Sequence, residues 1–229
     1  MDGVSVIIPV KDEEEGLRFL FDDLRSSDMH DFPALEFIFV IDGRTSDNSR
    51  IIAQQFSNRI IDQRETHGKG AAMHQAVEEW KSNPTQYVVF LDADGSYSFD
   101  SVFAIIQELR NGADVVSGSR FLKSKSRPEG MSRLHNIGNK ALSLISSIKN
   151  GRKITDLCTG LWGFNSKALS STEIESQGFD LEAEIAGKIR GSGLSHKEIA
   201  VDWSQRKGGE SKLRSIRDGI IILLRILRT

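Results

Sequence analysis

Residues 87–95 read YVVFLDADG, a short apolar run that ends in two acidic residues and a glycine. A continuous apolar run of this length, closed by a turn signal, is typical of a strand that is buried on both faces of a parallel sheet. VSVIIPV at residues 4–10 and FIFVI at residues 37–41 repeat the pattern, and helical spacing occupies the stretches between these runs. Strands that alternate with helices predict an α/β fold with a mostly parallel central sheet and helices on both faces.

The rest of the chain continues this alternation. We predict further strands at residues 60–61, 113–117, 161–165 and 194–201, and helices at residues 13–25, 47–56, 69–80, 99–109, 134–148 and 181–190. Residues 120–133 carry Lys, Ser, Arg, Pro and Gly without apolar periodicity, so we expect a mobile loop there. With no internal repeat or low-complexity linker, the chain predicts one catalytic domain over residues 1–212, followed by a helical appendage over residues 213–229.

Composition excludes several classes of protein. The formal net charge of -2 argues against a nucleic-acid binder, and a single cysteine, Cys158, excludes an intramolecular disulfide and a multi-cysteine zinc site. The longest apolar run, residues 220–224, is far shorter than the roughly 20 residues that span a bilayer. The first apolar run lacks a preceding basic segment and is followed by acidic residues, unlike a secretory signal. We therefore expect an intracellular protein that is not an integral membrane protein.

Acidic residues follow three of the predicted strands. Glu13 lies just beyond the first strand, Asp42 directly follows the second, and Asp92 and Asp94 follow the fourth. Each could be an ordinary turn residue or a helix-terminal charge when taken alone. The carboxyl ends of the strands in such a sheet meet at one edge, where ligands bind, so we expect these carboxylates to converge there.

Asp92-Ala93-Asp94 is the candidate metal site. Two carboxylates one residue apart can hold a hard divalent cation, and Mg²⁺ and Mn²⁺ take one or two carboxylates together with substrate phosphates and water. Such a cation offsets the negative charge that develops on a departing diphosphate. The pattern therefore predicts Mg²⁺ or Mn²⁺ as the cofactor, while the five histidines show no metal-ligand spacing.

Basic residues on glycine-bearing loops are candidate phosphate ligands. Gly68-Lys69-Gly70 brings a cation to a helix start, although it is not a Walker loop. Arg120 follows the strand that ends in Ser-Gly-Ser, and Arg206 and Lys212 bracket a Gly-Gly turn. Arginine and lysine at such positions clamp phosphates, or else are solvated surface charges.

Residues 213–228 (LRSIRDGIIILLRILR) predict a basic amphipathic helix. The arginines lie off its apolar stripe or at the edge of the stripe. The stripe consists of Leu213, Ile216, Ile220, Leu223, Leu224 and Leu227. A helix of this kind can lie in a membrane interface, or it can pack on its own domain or on a partner chain. The apolar stripe is broad, which favours docking on some apolar surface over a free helix.

Taken in order, these motifs resemble the inverting family 2 glycosyltransferases of the GT-A fold, and among them the polyprenyl-phosphate glycosyltransferases similar to dolichyl-phosphate mannose synthase. The resemblance covers nearly the whole chain. It rests on residues 9–13 (PVKDE), 42–47, 68–70 (GKG), 92–94 (DAD), 118–121 (GSRF), 156–164 and 206–212.

The resemblance implies a role for each matching residue. The nucleotide would be bound by Pro9, Lys11, Glu13, Val40, Asp42, Ala93 and Lys212. The metal would be bound by Asp92, Asp94 and Ser96. The catalytic residues would be Asp92, Asp94, Arg120 and Arg206, with Arg120 and Arg133 on the acceptor phosphate. Three residues depart from the common family pattern: Lys11 replaces an aromatic residue, Ile41 an aspartate and Ser96 a glutamine.

The function that the resemblance implies is transfer of a sugar from a UDP- or GDP-linked donor to a polyprenyl or dolichyl phosphate, with inversion, at the inner face of a membrane. An acceptor phosphate is ionised near neutral pH, which agrees with a sequence that offers cations rather than a histidine base. Transfer to a soluble saccharide or protein and a nucleotide-sugar-binding module without turnover are the alternatives; a nucleotidyltransferase ranks lower. The sequence leaves open the base, the sugar, the lipid length and the oligomeric state.

Overall fold

The computed structural model describes residues 3–27, 35–57, 59–63, 67–123 and 126–229. Within these ranges the strands are β1 (Val4–Val10), β2 (Leu35–Asp42), β3 (Arg59–Gln63), β4 (Tyr87–Leu91), β5 (Val115–Ser119), β6 (Leu161–Asn165) and β7 (His196–Ala200). The helices are α1 (Glu14–Ser26), α2 (Ser49–Gln54), α3 (Lys69–Ser82), α4 (Phe99–Arg110), α5 (Arg133–Asn150), α6 (Ser166–Ser170), α7 (Leu181–Ile189) and α8 (Ser215–Arg228).

One sheet of seven strands joins these elements, in the order β3-β2-β1-β4-β6-β5-β7. Every neighbouring pair is parallel except the two pairs made by β6, which runs antiparallel to β4 and to β5. The predicted mostly parallel sheet is therefore confirmed. Because β1 lies between β2 and β4, the carboxyl ends of these three strands stand side by side, and the acidic residues that follow them are brought to one edge.

A hydrophobic core covers each face of the sheet. Successive strand residues point to opposite faces, so Ile8 packs with one core cluster and Ile7 with the other. Helices α1 and α4 cover the first face, and α3 and α7 cover the second. Both faces are dry, which is why the strands read as continuous apolar runs rather than alternating ones.

The predicted elements agree with the structure to within a few residues, with local differences. Helix α6 was not predicted, because five residues are too few to show helical periodicity. Strand β5 begins and ends two residues later than predicted, so it includes Ser119 and brings Arg120 directly to its end. In the predicted loop at 120–133, residues 120–123 and 126–132 contain neither helix nor strand, whereas Arg133 is already the first residue of α5. Residues 124–125 lie outside the described residues.

Helix α8 packs along one side on the core that lies beneath α5 and α7. Ile222 and Ile226 are buried in the core cluster beneath α7, and the helix also contacts α5. Arg225 forms an ion pair of 2.7 Å with Asp180, at the start of α7. Among the described helices, none combines the length and hydropathy that a bilayer crossing demands.

Candidate active site

The Asp92-Ala93-Asp94 turn begins where β4 ends, and it is pressed against the first turn of α1. A Cβ atom placed on Gly16 would lie 2.3 Å from the carbonyl oxygen of Ala93, so only glycine permits this approach. Asp94 Oδ1 accepts a hydrogen bond of 3.0 Å from the backbone N–H of Ser96. Helix α1 and the turn thus fix the backbone from which both carboxylates project.

Lys69 connects Asp92 to a second carboxylate. Its Nζ lies 2.6 Å from Asp92 Oδ1 and 2.7 Å from Glu182 Oε1. Burial disfavours the charged ammonium, but the two carboxylates more than offset this effect, so the pKa of Lys69 is raised above its ordinary value. A permanent cation therefore holds one oxygen of Asp92.

The other oxygen of Asp92 faces Gly160. A Cβ atom at Gly160 would lie 1.9 Å from Asp92 Oδ2, so the carboxylate occupies space that any other residue would fill. The backbone N–H of Gly160 donates to the hydroxyl of Tyr97 over 3.1 Å. The residues after Asp156 therefore form one wall of the Asp92 site.

The glycine-bearing loop at residues 204–212 lies across the acidic turn. The backbone N–H of Lys207 donates to the carbonyl of Asp94 over 2.9 Å. Arg206 Nη2 bonds both oxygens of Glu13 at 2.7 Å, and its Nη1 lies 3.9 Å from Asp94 Oδ2. Lys212 Nζ is 3.8 Å from Glu13. Arg206 is thus brought beside Asp94, and Lys212 lies beside Glu13.

Glu13 is the central acid of this contact. Burial raises its pKa to about 7, although the hydrogen bond and charge of Arg206 and the charge of Lys212 act in the opposite direction. Its backbone N–H donates to the hydroxyl of Ser49 over 2.9 Å. The loop that carries the phosphate-binding candidates is therefore attached to the end of β1.

Asp42 also already has a partner. Arg44 contacts both of its oxygens, at 2.9 and 2.6 Å, and His67 Nδ1 lies 3.6 Å away. The hydrogen bond from Arg44 lowers the pKa of Asp42 to about 2. The carboxylate of Asp42 is therefore a hydrogen-bond acceptor fixed at the end of β2, and the end of β1 lies next to it.

The other nucleotide-binding candidates line the same edge of the sheet. Pro9 and Val40 are paired in the register of β1 and β2. Val40 is fully buried in the core, so its contact with the nucleotide stays a prediction. Lys11 is half-buried and Ala93 is buried in the acidic turn.

Arg120 and Arg133 are placed differently from the rest of the set. The guanidinium of Arg120 is buried and binds both oxygens of Asp156 at 2.6 Å, and it also donates to the carbonyl of Cys158. Asn139 of α5 donates to the same carboxylate. Arg133 is exposed at the first residue of α5. The structure does not place Arg120 as a free cation in the cleft.

The carboxylate pair fits a hard divalent cation. Asp92 and Asp94 keep 32% and 21% of their side chains exposed. The described part of the chain contains no group of three or more His, Cys, Asp or Glu side chains that could hold a metal ion. Two carboxylates are what Mg²⁺ and Mn²⁺ use when substrate phosphates and water supply the other ligands. Ser96 is buried beside Asp94, and its role as a ligand stays a prediction.

Sequence reasoning gave no site role to Glu182 or Asp156. Glu182 is an acidic residue in the first turn of α7, where it suits the helix dipole, and Asp156 belongs to the motif at residues 156–164, to which no function was assigned. Their partners, Lys69 and Arg120, are distant in the chain, and no local pattern predicts such pairs. The one signal in the sequence is an acidic residue within a stretch whose other residues are apolar enough to form the core.

The family model for glycosyl transferase family 2 matches residues 5–172. Curated relatives include glycosyltransferase AglJ of Haloferax volcanii, 29% identical over 99% of this chain and 72% of the relative. The dolichyl-phosphate hexose transferase of the same organism is 28% identical over 96% of this chain and 91% of the relative. The dolichol-phosphate mannosyltransferase of Pyrococcus furiosus is 26% identical, and the match covers 92% of this chain but 59% of that protein.

Solved structures share the fold. Glucosyl-3-phosphoglycerate synthase from Mycobacterium tuberculosis, solved with Mn²⁺, UDP and phosphoglyceric acid, superimposes with a TM-score of 0.69 at 16% identity, over 98% of this chain and 75% of that one. The architecture is that of the GT-A glycosyltransferases, as the resemblance implied. The family model covers most of the chain, and the acidic turn lies within the matched range. The chain therefore belongs to glycosyl transferase family 2.

Proposed function

We propose that this glycosyltransferase moves a sugar from a UDP- or GDP-linked donor to a polyprenyl or dolichyl phosphate at the inner face of a membrane. The observation that carries the proposal is a paired acidic and cationic cleft in a domain whose α5 and α8 expose apolar side chains. The names of two relatives, dolichyl-phosphate hexose transferase and dolichol-phosphate mannosyltransferase, support a lipid phosphate acceptor.

In the proposed reaction the residues of the cleft bind and orient both substrates. Asp92 and Asp94 would hold Mg²⁺ or Mn²⁺, which when bound supplies positive charge for the departing diphosphate. Arg206 lies beside Asp94 and Lys212 lies beside Glu13, and both would bind the diphosphate. The ends of β1 and β2, with Glu13 and Asp42, would hold the nucleoside, together with Pro9, Lys11, Val40 and Ala93.

The chemistry is a single displacement. An oxygen of the acceptor phosphate forms a bond to the anomeric carbon, the bond from that carbon to the diphosphate oxygen breaks, and the configuration inverts. The nucleoside diphosphate leaves with the bonding electron pair. Because the attacking oxygen is already ionised, the protein needs positioning and charge stabilisation rather than a strong base.

We assign Arg120 a positioning role in this site. Its guanidinium is only 10% exposed and is bound by Asp156, so direct contact with a phosphate requires that this buried pair be broken. Removing one partner of a buried ion pair costs about 3–5 kcal/mol. Arg120 instead fixes the segment that begins at Asp156 and ends at Gly160, against which Asp92 rests.

Helix α5 supplies the first half of the proposed membrane surface. It buries the polar side chains of Asn139, Ser143 and Ser146. Ser143 and Asn139 accept the backbone N–H groups of residues 157 and 158. It exposes apolar residues instead: Leu134, Ile137, Leu144 and Ile148, each between 57% and 74% exposed. A surface helix normally shows the opposite arrangement.

Helix α8 supplies the second half. Ile216, Ile220, Leu224 and Leu227 are 45–73% exposed. Lys149 of α5 donates to the carbonyl of Leu227, which ties the two helices together. Basic residues flank the face, including Arg217 and Arg228. A cationic helix with an apolar face binds an anionic lipid interface, so we propose that residues 213–229 attach the catalytic domain of residues 1–212 to the membrane.

The test is transfer of a radiolabelled sugar. Purified protein with Mn²⁺ or Mg²⁺ is given UDP- and GDP-sugars and liposomes that contain a polyprenyl phosphate, and label in the organic phase is counted. We expect lipid-linked product from the unmodified protein and a loss of at least about 100-fold in Asp94→Ala. Asp100→Ala removes an exposed aspartate from the first turn of α4 and should stay close to normal.

The control and a flotation assay complete the design. Normal turnover by Asp94→Ala would refute the metal assignment. Transfer only to a soluble acceptor, with no flotation of the protein on anionic liposomes, would refute the lipid acceptor while leaving the glycosyltransferase assignment intact. If the unmodified protein neither transfers the sugar of any donor nor hydrolyses any donor, the protein is a binding module.

A further inference from the structure

Arg225 connects α8 to the first turn of α7. Its Nε donates to Asp180 Oδ2 over 2.7 Å, and its Nη1 lies 3.8 Å from Glu184 Oε1. Asp180 directly precedes α7, and Glu184 lies in the first turn of that helix. The side chain of Asp180 is 8% exposed and that of Glu184 is fully buried. One guanidinium therefore holds two buried carboxylates, and Glu182 lies between them in the chain.

Glu182 links this turn of α7 to the candidate metal site. Its Oε1 is 2.7 Å from Lys69 Nζ, and the same Nζ is 2.6 Å from Asp92 Oδ1. The side chains of Glu182 and Lys69 are largely buried, and an ion pair in such surroundings is costly to break. A shift of the first turn of α7 would therefore move the lysine that holds Asp92.

Glu184 also fixes the loop at residues 175–178. Its carboxylate accepts backbone N–H groups at the start of this loop over 2.9–3.1 Å. Carbonyl groups at the end of the loop accept the N–H groups of residues 70–71 over 3.1 and 3.3 Å, and so cap the start of α3. A Cβ atom at Gly70 would lie 2.4 Å from a carbonyl oxygen of the loop, so the two segments are in direct contact. Lys69 is the first residue of α3, and its backbone is therefore held through Glu184.

Packing fixes α8 against α7 around Arg225. Ile222 and Ile226, which lie on either side of Arg225 in the sequence, are buried in the core. A Cβ atom at Gly187 would lie 2.4 Å from Thr229 Oγ1, so the residue that follows α8 lies directly against α7. The position of the Arg225 guanidinium is therefore set by the docking of α8 on α7.

We propose that Arg225 is a positioning residue for the metal site. By holding Asp180 and Glu184 it fixes the first turn of α7 and the loop before it, which are the two supports of Lys69. Lys69 in turn orients the carboxylate of Asp92. The proposal rests on the proposed function in taking Asp92 as a metal ligand, and Arg225 itself would touch neither the metal nor a substrate. The helix that we propose to attach the protein to the membrane thus also supports the metal site.

The test uses variants of the full chain on each side of the contact. Arg225→Met removes the guanidinium, and Asp180→Asn removes the charge of its closer partner while keeping the shape of the side chain. The matched control is Arg190→Met, which removes an exposed arginine from the residue after α7. Three quantities are measured: kcat for transfer to a polyprenyl phosphate, KM for that acceptor, and the affinity for Mn²⁺ by electron paramagnetic resonance with a nucleoside diphosphate present.

We expect Arg225→Met to lose about tenfold in kcat and in Mn²⁺ affinity, the lower end of the range of about 10–100-fold for outer partners of metal ligands, because it acts through Lys69. Asp180→Asn should lower both quantities, Arg225→Lys should recover part of the loss, and Arg190→Met should change neither. Melting curves establish which variants are folded. If Arg225→Met does not fold, Asp180→Asn decides the question.

A merely structural role would lower the melting temperature and leave the Mn²⁺ affinity of the folded protein unchanged, and this result overturns the proposal. A rise in the acceptor KM alone would indicate direct contact with substrate and overturns it as well. In a Glu182→Gln chain one support of Lys69 is already altered, so adding Arg225→Met should weaken Mn²⁺ binding by a smaller factor than it does in the unmodified chain. Equal factors in the two chains would show that Arg225 does not act through Glu182.

Failure of the proposed function is distinguishable from failure of this proposal. An unmodified protein that binds Mn²⁺ with nucleoside diphosphate but transfers no sugar to the polyprenyl phosphate refutes the lipid acceptor only. The Mn²⁺ affinities of the variants then still decide the role of Arg225.

Discussion

Replacing Gly160 with alanine is the most direct test of how Asp92 is positioned. The added methyl would stand 1.9 Å from Asp92 Oδ2, whereas real Cβ atoms essentially never approach another heavy atom within 3.0 Å. The carboxylate must therefore move by about 1.1 Å, the difference between these two distances. It cannot simply swing away, because Lys69 holds Oδ1 at 2.6 Å and Tyr97 holds the backbone of residue 160.

A displacement of this size predicts a large loss of activity. Misplacing a catalytic group by about 1 Å can cost about 100-fold in rate, which corresponds to about 2.7 kcal/mol in the activation free energy. We expect kcat for Gly160→Ala to fall by about that factor. The affinity for Mn²⁺, followed by electron paramagnetic resonance in the presence of nucleoside diphosphate, should weaken as well.

The matched control is Gly138→Ala on α5. A Cβ atom there would meet nothing within 4 Å, so the same chemical change should leave kcat and Mn²⁺ affinity unaltered. Thermal melting of both variants separates a local displacement from unfolding. Normal kcat and normal Mn²⁺ affinity in folded Gly160→Ala would refute the assignment of Asp92 as a metal ligand held against Gly160.

Two further predictions concern buried charges. Lys69→Met leaves Asp92 and Glu182 without their shared cation, so the free energy of unfolding in urea should fall by about 3–5 kcal/mol; adding Glu182→Gln should recover part of it, and no recovery would contradict the pairing. Burial lowers the pKa of His196 to about 4 from 6.5, so below pH 6.5 the unfolded chain takes up a proton that the folded chain does not. The contribution of the neutral His196 to the free energy of unfolding is therefore fully present above pH 6.5. This contribution declines by about 3 kcal/mol as the pH falls to 4. His196→Phe, which can keep the ring stacked on Trp162, should flatten this part of the urea-unfolding profile, and an unchanged profile would disprove the linkage.

The predicted strands match the structure well because their signal is local. β4 and β6 have the predicted bounds, and each is an apolar run buried on both faces. The position of Asp42, Asp92 and Asp94 follows from the same signal, since a residue that follows a parallel strand lies at its carboxyl end whatever the rest of the chain does.

The partners of the site residues could not be predicted in this way. Arg120 has the sequence context of a phosphate ligand, and only the fold brings the carboxylate of Asp156 against it. Glu182 contacts Lys69 because α7 and α3 cover the same face of the sheet. An ion pair between distant segments depends on three-dimensional packing, and neither segment carries a pattern that names its partner.

The amphipathic helices show most clearly what the sequence determines and what the tertiary structure determines. The sequence alone predicted a basic helix with an apolar stripe over residues 213–228, because periodicity is a property of neighbouring residues, and the structure has this helix over Ser215–Arg228. It could not determine which side of the helix is covered, and the two buried residues, Ile222 and Ile226, lie outside the predicted stripe. Tertiary structure decided that Ile222 and Ile226 are buried and that Ile220 and Leu224 stay exposed. It also decided that α5 packs Leu142 and Ile145 against the core and leaves four other apolar residues exposed. Burial depends on which surfaces the fold brings together, and for these helices that contact is made between elements far apart in the chain.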